Sequence, residues 1–483
     1  MIVMKFGGTS VGDAARLHQV AAIIETQPAP RAAVVSAASG VTNLLLDAAR
    51  ASAVDGDALS AKLTTQIRVR HHDIAAAIAS DHERAAAVAA LDQLHAALDD
   101  ALAAVSRAGE LSQRNSDRIL ATGEKAMSVL LAATLRARGT AAVHIWADRV
   151  IATDDRHGNA RPDRTRTREL AALEMKPHLD AGSTVVMTGF IGCAPDGATT
   201  TLGRGGSDYS ATLLGAALDA DEVQIWTDVP GVLSADPRQV PDARVVPGIS
   251  YDEAQELAHF GAKVLHPRTI RPAVSLGIPV RILSTFLPGE PGTLVTREAP
   301  ADSVKAVTAL TNLLLLTIDV PELEDLASAS AAVFGALHDD RIEVIAASQA
   351  SSRRRMIYVV DATGHGGCTR VGQRMSAALD AAGVDAEVGC REDVALVAAV
   401  GEGVAAAPQT LSQLLAILGR AEIPVLFTNQ QHSNVALTVA VAGKDAARAV
   451  LALHDAFVRP QPASSRGRRP RRSHMLAESL RVG

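Results

Sequence analysis

The chain of 483 residues carries 47 basic and 53 acidic side chains, a formal net charge of −6, and only 2% aromatic residues. This excludes a basic, aromatic-rich surface for nucleic acid, while 48% apolar residues suit two to four domains with large buried cores. No apolar run is long and charge-free enough to span a membrane, and the N-terminus lacks the segments of a secretion signal, so the expected compartment is cytoplasmic. Cys193, Cys368 and Cys390 are widely spaced and are expected to form neither a metal nor a disulfide framework.

Ile2 to Phe6 reads as a short strand, followed by Gly7-Gly8-Thr9-Ser10-Val11-Gly12-Asp13 and a helical pattern from Ala15 to Thr26. Strand, glycine turn and helix start form a phosphate-cradling layout. It is neither a P-loop, since the Gly-Lys-Ser/Thr ending is missing, nor a dinucleotide fingerprint. Lys5 stands at the carboxyl end of this strand, where open α/β sheets place ligands. A second strand, Ala32 to Val35, ends in the small residues Ser36 to Ser39 before Gly40-Val41-Thr42-Asn43. Thr42 is a helix hydroxyl or, given its neighbours, a substrate contact. Ala48 to Arg138 is alanine-rich and helical, interrupted at Gly123. The adjoining Glu124 is either a first-turn acid favoured by the helix dipole or an acceptor for a substrate amine.

Strands follow at Ala142 to Ala147, at Ser183 to Gly189 and at Glu222 to Thr227, the second almost wholly apolar as in a central parallel strand. Between the last two lies Thr199 to Thr212, the most informative stretch of the chain. Gly203, Gly205 and Gly206 flank Arg204 and precede Ser207 and Asp208, and a helix follows. Glycines let backbone N–H groups approach an anion, and the helix start adds unpaired donors. Arg204 can grip a carboxylate or phosphate with two parallel bonds. Asp208, an acid where anions gather, makes sense beside a lysine or a metal ion. A plain capped turn is the alternative reading. Further on come Asp228-Val229-Pro230-Gly231-Val232-Leu233 and Asp236-Pro237-Arg238, then a helix from Ala254 to Phe260 and Gly261-Ala262-Lys263-Val264-Leu265-His266-Pro267. His266 precedes a proline and reads as structural. Alternating strands and helices with polar strand ends define an α/β sandwich.

From Ala301 the pattern changes to a repeat of small α+β modules, in which Arg341-Ile342-Glu343-Val344-Ile345 and Glu422-Ile423-Pro424-Val425-Leu426 occupy matching places. The expected division is 1–298, 301–390, 391–458 and a disordered basic tail, 459–483.

Four runs, in order, resemble the signatures of the aspartate kinases, members of the amino-acid-kinase fold. They are Val3 to Val11, Leu202 to Asp208, Trp226 to Gly231 and Phe260 to Pro267. The resemblance covers residues 1 to about 458 and implies a three-layer αβα sandwich followed by two ACT-like modules. It implies ATP-dependent phosphorylation of the side-chain carboxylate of L-aspartate, with Mg²⁺ on the ATP, as the entry to lysine, threonine and methionine. By the same resemblance, Lys5 and Asp208 are catalytic. Thr42, Glu124, Phe190, Arg204, Gly205, Gly206 and Ser207 hold aspartate. Lys5, Gly7, Gly8, Ser10, Thr227, Asp228, Leu233, Arg238, Lys263 and Val264 hold ATP. Leu233 stands where the family often carries tyrosine, which removes a hydroxyl or stacking contact to the nucleotide. Ser348, Gln349 and Ser351 form the regulatory loop, with threonine slightly preferred over lysine as effector, in a homodimer built through the modules. The loop Asn429 to Asn434 of the second module departs from the usual small-residue pattern. Some relatives fuse a homoserine dehydrogenase to the C-terminus, and the expectation here is a monofunctional chain. Other kinases of this fold, and a non-catalytic amino-acid sensor, are the competing readings.

The chemistry is consistent with that resemblance. A carboxylate is already ionised at neutral pH, with a pKa of about 3.9 for aspartate, so it needs no general base. The difficulty is the meeting of two anions, which cations and backbone N–H groups relieve.

Overall fold

The computed structural model describes residues 1–54, 56–261, 267–299, 303–321, 325–350, 354–429 and 434–458. Lys263, Val264, His266, Ser351, residues 430–433 of the second-module loop and the tail 459–483, all named above, lie outside the described residues. The chain opens with β1 (Ile2–Phe6), α1 (Ala14–Thr26), β2 (Arg31–Val35) and four helices, α2 (Val41–Ser52), α3 (Asp57–Ala76), α4 (Asp81–Ala108) and α5 (Gln113–Ala137). Next are β3 (Ala142–Ile145), α6 (Arg164–Glu174), α7 (Lys176–Asp180), β4 (Thr184–Thr188), the hairpin β5 (Ile191–Cys193) and β6 (Thr199–Thr201), α8 (Gly206–Ala217) and β7 (Glu222–Thr227). The first part closes with β8 (Gly248–Ser250), α9 (Tyr251–His259), α10 (Pro267–Leu276), β9 (Val280–Ser284) and β10 (Thr293–Thr296).

Eight of these strands form one sheet in the order β3-β4-β2-β1-β7-β9-β10-β8. The run from β3 to β9 is parallel, and only β10 lies antiparallel to β9. A parallel sheet must be covered on both faces. Alternation along each strand divides the residues between two cores. Val3, Val34, Met187 and Ile225 face α6, α8 and α10. Met4, Phe6, Val35 and Trp226 face the helices α1 to α5. This is the three-layer sandwich expected. Lys5 alternates with Met4 and Phe6 and so shares the Val3 face, the one covered by α8.

Gly123 does not interrupt the helical region. α5 runs through it, and a Cβ there would stand 2.7 Å from the Ala37 Cβ. The glycine therefore lets α5 press against the loop after β2. Glu124 is correspondingly a mid-helix residue and not a first-turn acid.

The second part comprises β11 (Ala306–Asp319), α11 (Leu326–Asp339), β12 (Glu343–Ala350), β13 (Arg355–Asp361), α12 (Gly367–Ala381), β14 (Glu387–Val400), α13 (Pro408–Arg420), β15 (Phe427–Asn429), β16 (Ala436–Ala442) and α14 (Ala446–Phe457). Its six strands form a single sheet, β12-β13-β11-β14-β16-β15. The expected boundary at 390/391 falls inside β14, which is continuous. β11 is likewise one strand, with register irregularities between Leu310 and Leu315. Val304 and Val307 belong to the core under α13 and α14, whereas Leu314 and Leu316 belong to the core under α11 and α12. The chain thus starts the second module before it builds the first.

Cys368 and Cys390 form a disulfide with Cα atoms 5.5 Å apart, contrary to the sequence expectation, while Cys193 is free. The two are 22 residues apart in sequence and become neighbours only because α12 packs across β14. Among the described residues no helix is long and apolar enough to cross a membrane.

The two parts are stitched together at α9. Lys305 Nζ lies 2.8 Å from Glu253 Oε2, with both side chains nearly buried. Ser250 Oγ donates to Glu402 Oε2 at 3.0 Å, and Thr308 Oγ1 donates to the Phe260 carbonyl at 3.0 Å.

Candidate active site

A cavity of about 990 Å³ opens at the carboxyl ends of β1, β2 and β4. One wall is built from two glycine turns. At the first, Gly8 lies so close to the neighbouring turn that a Cβ would meet the Ala37 carbonyl at 2.8 Å, and the Ser39 N–H donates to the Gly8 carbonyl at 3.1 Å. At the second, Gly203 and Gly205 take φ of 75° and 70°, and Gly205 caps α8. These left-handed values favour glycine, and they aim the first N–H groups of α8 at the cavity, where an anion is stabilised.

Lys5 and Asp208 meet across this wall, with Nζ 2.7 Å from Oδ1 and side chains only 12% and 18% exposed. The strand alternation that turns Lys5 toward α8, and the first-turn position of Asp208, together make the contact. Arg204, exposed and without an ion pair among the described residues, also lines the cavity, together with Thr42, Gly205, Gly206 and Ser207. Phe190 reaches it from a backbone with φ of 69°, held by its N–H donating to Ser210 Oγ at 2.9 Å.

Glu124 lines the cavity yet is only 3% exposed, and its Oε2 has no hydrogen-bond partner. Burial pushes its carboxyl up to about 8, against the lowering effect of backbone hydrogen bonds from Ala37 and from Glu124 itself. A buried carboxyl with a free oxygen is a poor structural element and a ready receiver for an ammonium group.

Asp117 was not anticipated. It is 1% exposed, lines the same cavity, and accepts hydrogen bonds from Thr201 Oγ1 at 2.6 Å and from the Gly158 N–H, and pairs with His157 Nδ1 at 2.8 Å. It ties the 157–158 turn to the β6 edge of the site. Its place two helical turns before Glu124 puts both acids on one face of α5, and that periodicity was the signal available in the sequence.

The residues expected at the nucleotide are less uniformly gathered. Gly7 and Gly8 adjoin Lys5, and a Cβ on Gly7 would stand 3.5 Å from Lys5 Nζ. Leu233 and Arg238 line a second cavity of about 570 Å³, walled on one side by Val307 to Thr311 of β11. Arg238 is held there by Asp236, with Nη2 2.6 Å from Oδ2. Thr227 and Asp228 end β7, where Thr227 Oγ1 donates to Asp228 Oδ1 at 3.2 Å, but neither lines either cavity. Ser10 departs from expectation. It is fully buried, and its hydroxyl is engaged with Thr285 Oγ1 at 2.7 Å, because the short helical turn after β1 directs it into the core.

A doubly covered sheet whose strand ends carry glycine turns, a lysine–aspartate pair and an exposed arginine is an α/β fold with its donors and cations gathered where small anions bind. The profile of the amino acid kinase family matches residues 1–284, and that of an ACT domain matches residues 397–457. The lysine-sensitive aspartokinase 3 of Escherichia coli strain K12 is 35% identical over 94% of this chain and 98% of its own length. The bifunctional aspartokinase/homoserine dehydrogenase of Daucus carota chloroplasts is 32% identical over 94% of this chain but only 50% of its own length. The chain thus spans about half the length of such bifunctional relatives. Among solved structures, E. coli aspartokinase III in complex with aspartate and ADP (R-state) superposes with a TM-score of 0.76 at 33% identity, covering 94% of this chain and 99% of that one. The same enzyme in complex with lysine and aspartate (T-state) gives 0.78 at 32% identity, covering 95% of this chain and 100% of that one. This chain belongs to the amino acid kinase family and, within it, to the aspartokinases.

Proposed function

We propose that the chain transfers the γ-phosphoryl group of ATP to the side-chain carboxylate of L-aspartate and is inhibited by lysine. The observation that carries the reading is the pairing of Lys5 with Asp208 on a cavity that also holds the buried carboxyl of Glu124, whose Oε2 has no partner. Glu124 receives the ammonium of aspartate and Arg204 its α-carboxylate, so an amino acid is selected over a plain diacid. Thr42, Ser207 and Phe190 close around the side chain. The free carboxylate attacks the phosphorus without a general base. Lys5 neutralises charge on the transferring group, Asp208 holds Lys5 in place, and the N–H groups of both glycine turns donate to the phosphate oxygens. Arg238, Leu233 and the end of β7 serve the nucleotide.

Mg²⁺ carried on the ATP phosphates would supply further charge neutralisation, and the residues fit it, since Asp208 presents a carboxylate to the cavity beside Lys5. For regulation, lysine is the favoured effector over threonine, supported by the complex of the E. coli relative with lysine and aspartate. Ser348 and Gln349 are exposed on β12, an edge strand of the second sheet, where a second copy of the chain can pair. ADP release measured with aspartate, glutamate, acetylglutamate and UMP tests the substrate. Turnover with aspartate alone is expected, and turnover with any of the others but not with aspartate overturns the reading. Titration with lysine and threonine at subsaturating aspartate tests the effector.

A further inference from the structure

The helical hairpin of α3 and α4 carries a cluster that phosphoryl transfer does not use. His71 and His72 lie near the end of α3, and Asp92 and His95 lie three residues apart on one face of α4. One ligand-capable atom each from His72, Asp92 and His95 falls within 4.8 Å of the other two. His72 Nε2 is 3.3 Å from Asp92 Oδ1.

His95 gives the cluster its direction. It is 1% exposed. Its Nε2 lies 3.0 Å from His71 Nδ1, and its Nδ1 has no hydrogen-bond partner. A buried polar atom left without a partner costs about 1–3 kcal/mol, so a fold that keeps one invites a ligand for it. His71 stands behind His95 as an outer partner, the arrangement that fixes the tautomer and orientation of a ligating histidine.

We propose that His72, Asp92 and His95 form a site for a divalent ion of the zinc class. Two imidazole nitrogens and one carboxylate suit zinc, whereas calcium and magnesium prefer oxygen donors throughout. Three protein ligands leave a fourth position for water. The side chains of Asp92 and His72 are 64% and 36% exposed and open a path from solvent. Such an ion joins α3 to α4, so its effect is on the stability of the hairpin and not on the chemistry at Lys5.

The test uses the full chain, stripped with a chelator and then equilibrated with Zn²⁺ alone. Metal content and thermal unfolding are measured together, and Co²⁺ is substituted for its visible spectrum. One zinc per chain, an unfolding midpoint that rises with Zn²⁺, and a tetrahedral Co²⁺ band are expected. His72→Ala and Asp92→Asn alter exposed positions and should lose all three while retaining the native kcat. His71→Ala should weaken Zn²⁺ binding about 10–100-fold without abolishing it. No zinc uptake by the native chain overturns the proposal, as does uptake that is unchanged in both His72→Ala and Asp92→Asn.

Discussion

Lys5 Nζ lies 2.7 Å from Asp208 Oδ1, joining the carboxyl end of β1 to the first turn of α8. Both side chains line the cavity. Lys5→Ala and Asp208→Ala are therefore expected to lower kcat about 10²–10³-fold, with smaller changes in KM for either substrate. Steady-state kinetics on folded protein check this, and near-normal turnover by one variant removes that residue from the catalytic set.

Glu124 predicts a pH dependence of substrate binding. Its carboxyl is raised to about 8, so the empty site is mostly protonated at neutral pH, whereas an ammonium group requires the carboxylate. Aspartate affinity should rise with pH, roughly tenfold per unit below pH 7, and level off above 8. Glu124→Gln should bind aspartate weakly with a flat profile, leaving ATP binding little changed. Equal weakening of both substrates points instead to a structural role.

The same carboxyl sets a stability trend of opposite sense. Between its ordinary value of 4.5 and about 8, the folded chain retains a proton that the unfolded chain has released. The folded state then binds more protons, so this group makes stability fall as pH rises through that window. Denaturant titrations from pH 5 to 8 should show that fall, and Glu124→Gln should reduce it. A native profile that rises, with the variant parallel to it, contradicts the assignment.

Gly206 is predicted to control the aspartate pocket through Phe190. A Cβ at Gly206 would stand 2.6 Å from Phe190 Cδ2 and 3.1 Å from its Cα. Gly206→Ala should cost about 1–3 kcal/mol of overpacking, read chiefly as a raised KM for aspartate. Gly335→Ala in α11 is the control. A Cβ there meets nothing within 4 Å, and the change should be neutral or stabilise by about 0.4–1 kcal/mol.

The ion pair between Lys305 and Glu253 ties the kinase part to the second sheet. Lys305→Met leaves Glu253, 1% exposed, without its cation, and removing one partner of a buried pair costs about 3–5 kcal/mol. A lowered unfolding midpoint and weaker inhibition by lysine are expected, with part of the stability restored by adding Glu253→Gln. A lowered midpoint with unchanged inhibition makes the pair a staple only. Gln349→Ala should abolish inhibition while basal turnover persists, and calorimetry with lysine checks whether binding is lost with it.

Local chemistry in the sequence determined much of this protein. Apolar runs broken by glycine read as parallel strands, and the 203–208 loop read as an anion site, because turn glycines and strand periodicity are local constraints. The strand alternation that turns Lys5 toward Asp208 is local too, although the partner lies 203 positions on in the sequence and only the sheet order brings it near. Three features were decided by tertiary packing alone. Gly123 reads as a break, yet it sits inside α5 because its missing side chain accommodates Ala37. The resemblance places Ser10 at ATP, yet it is buried against Thr285, a residue from beyond β9. The two regulatory modules read as consecutive, yet they share β11 and β14, and Cys368 of α12 meets Cys390 of β14. Each depends on contacts between segments far apart in the chain, and sequence periodicity carries information only about neighbours within a few turns or strand residues.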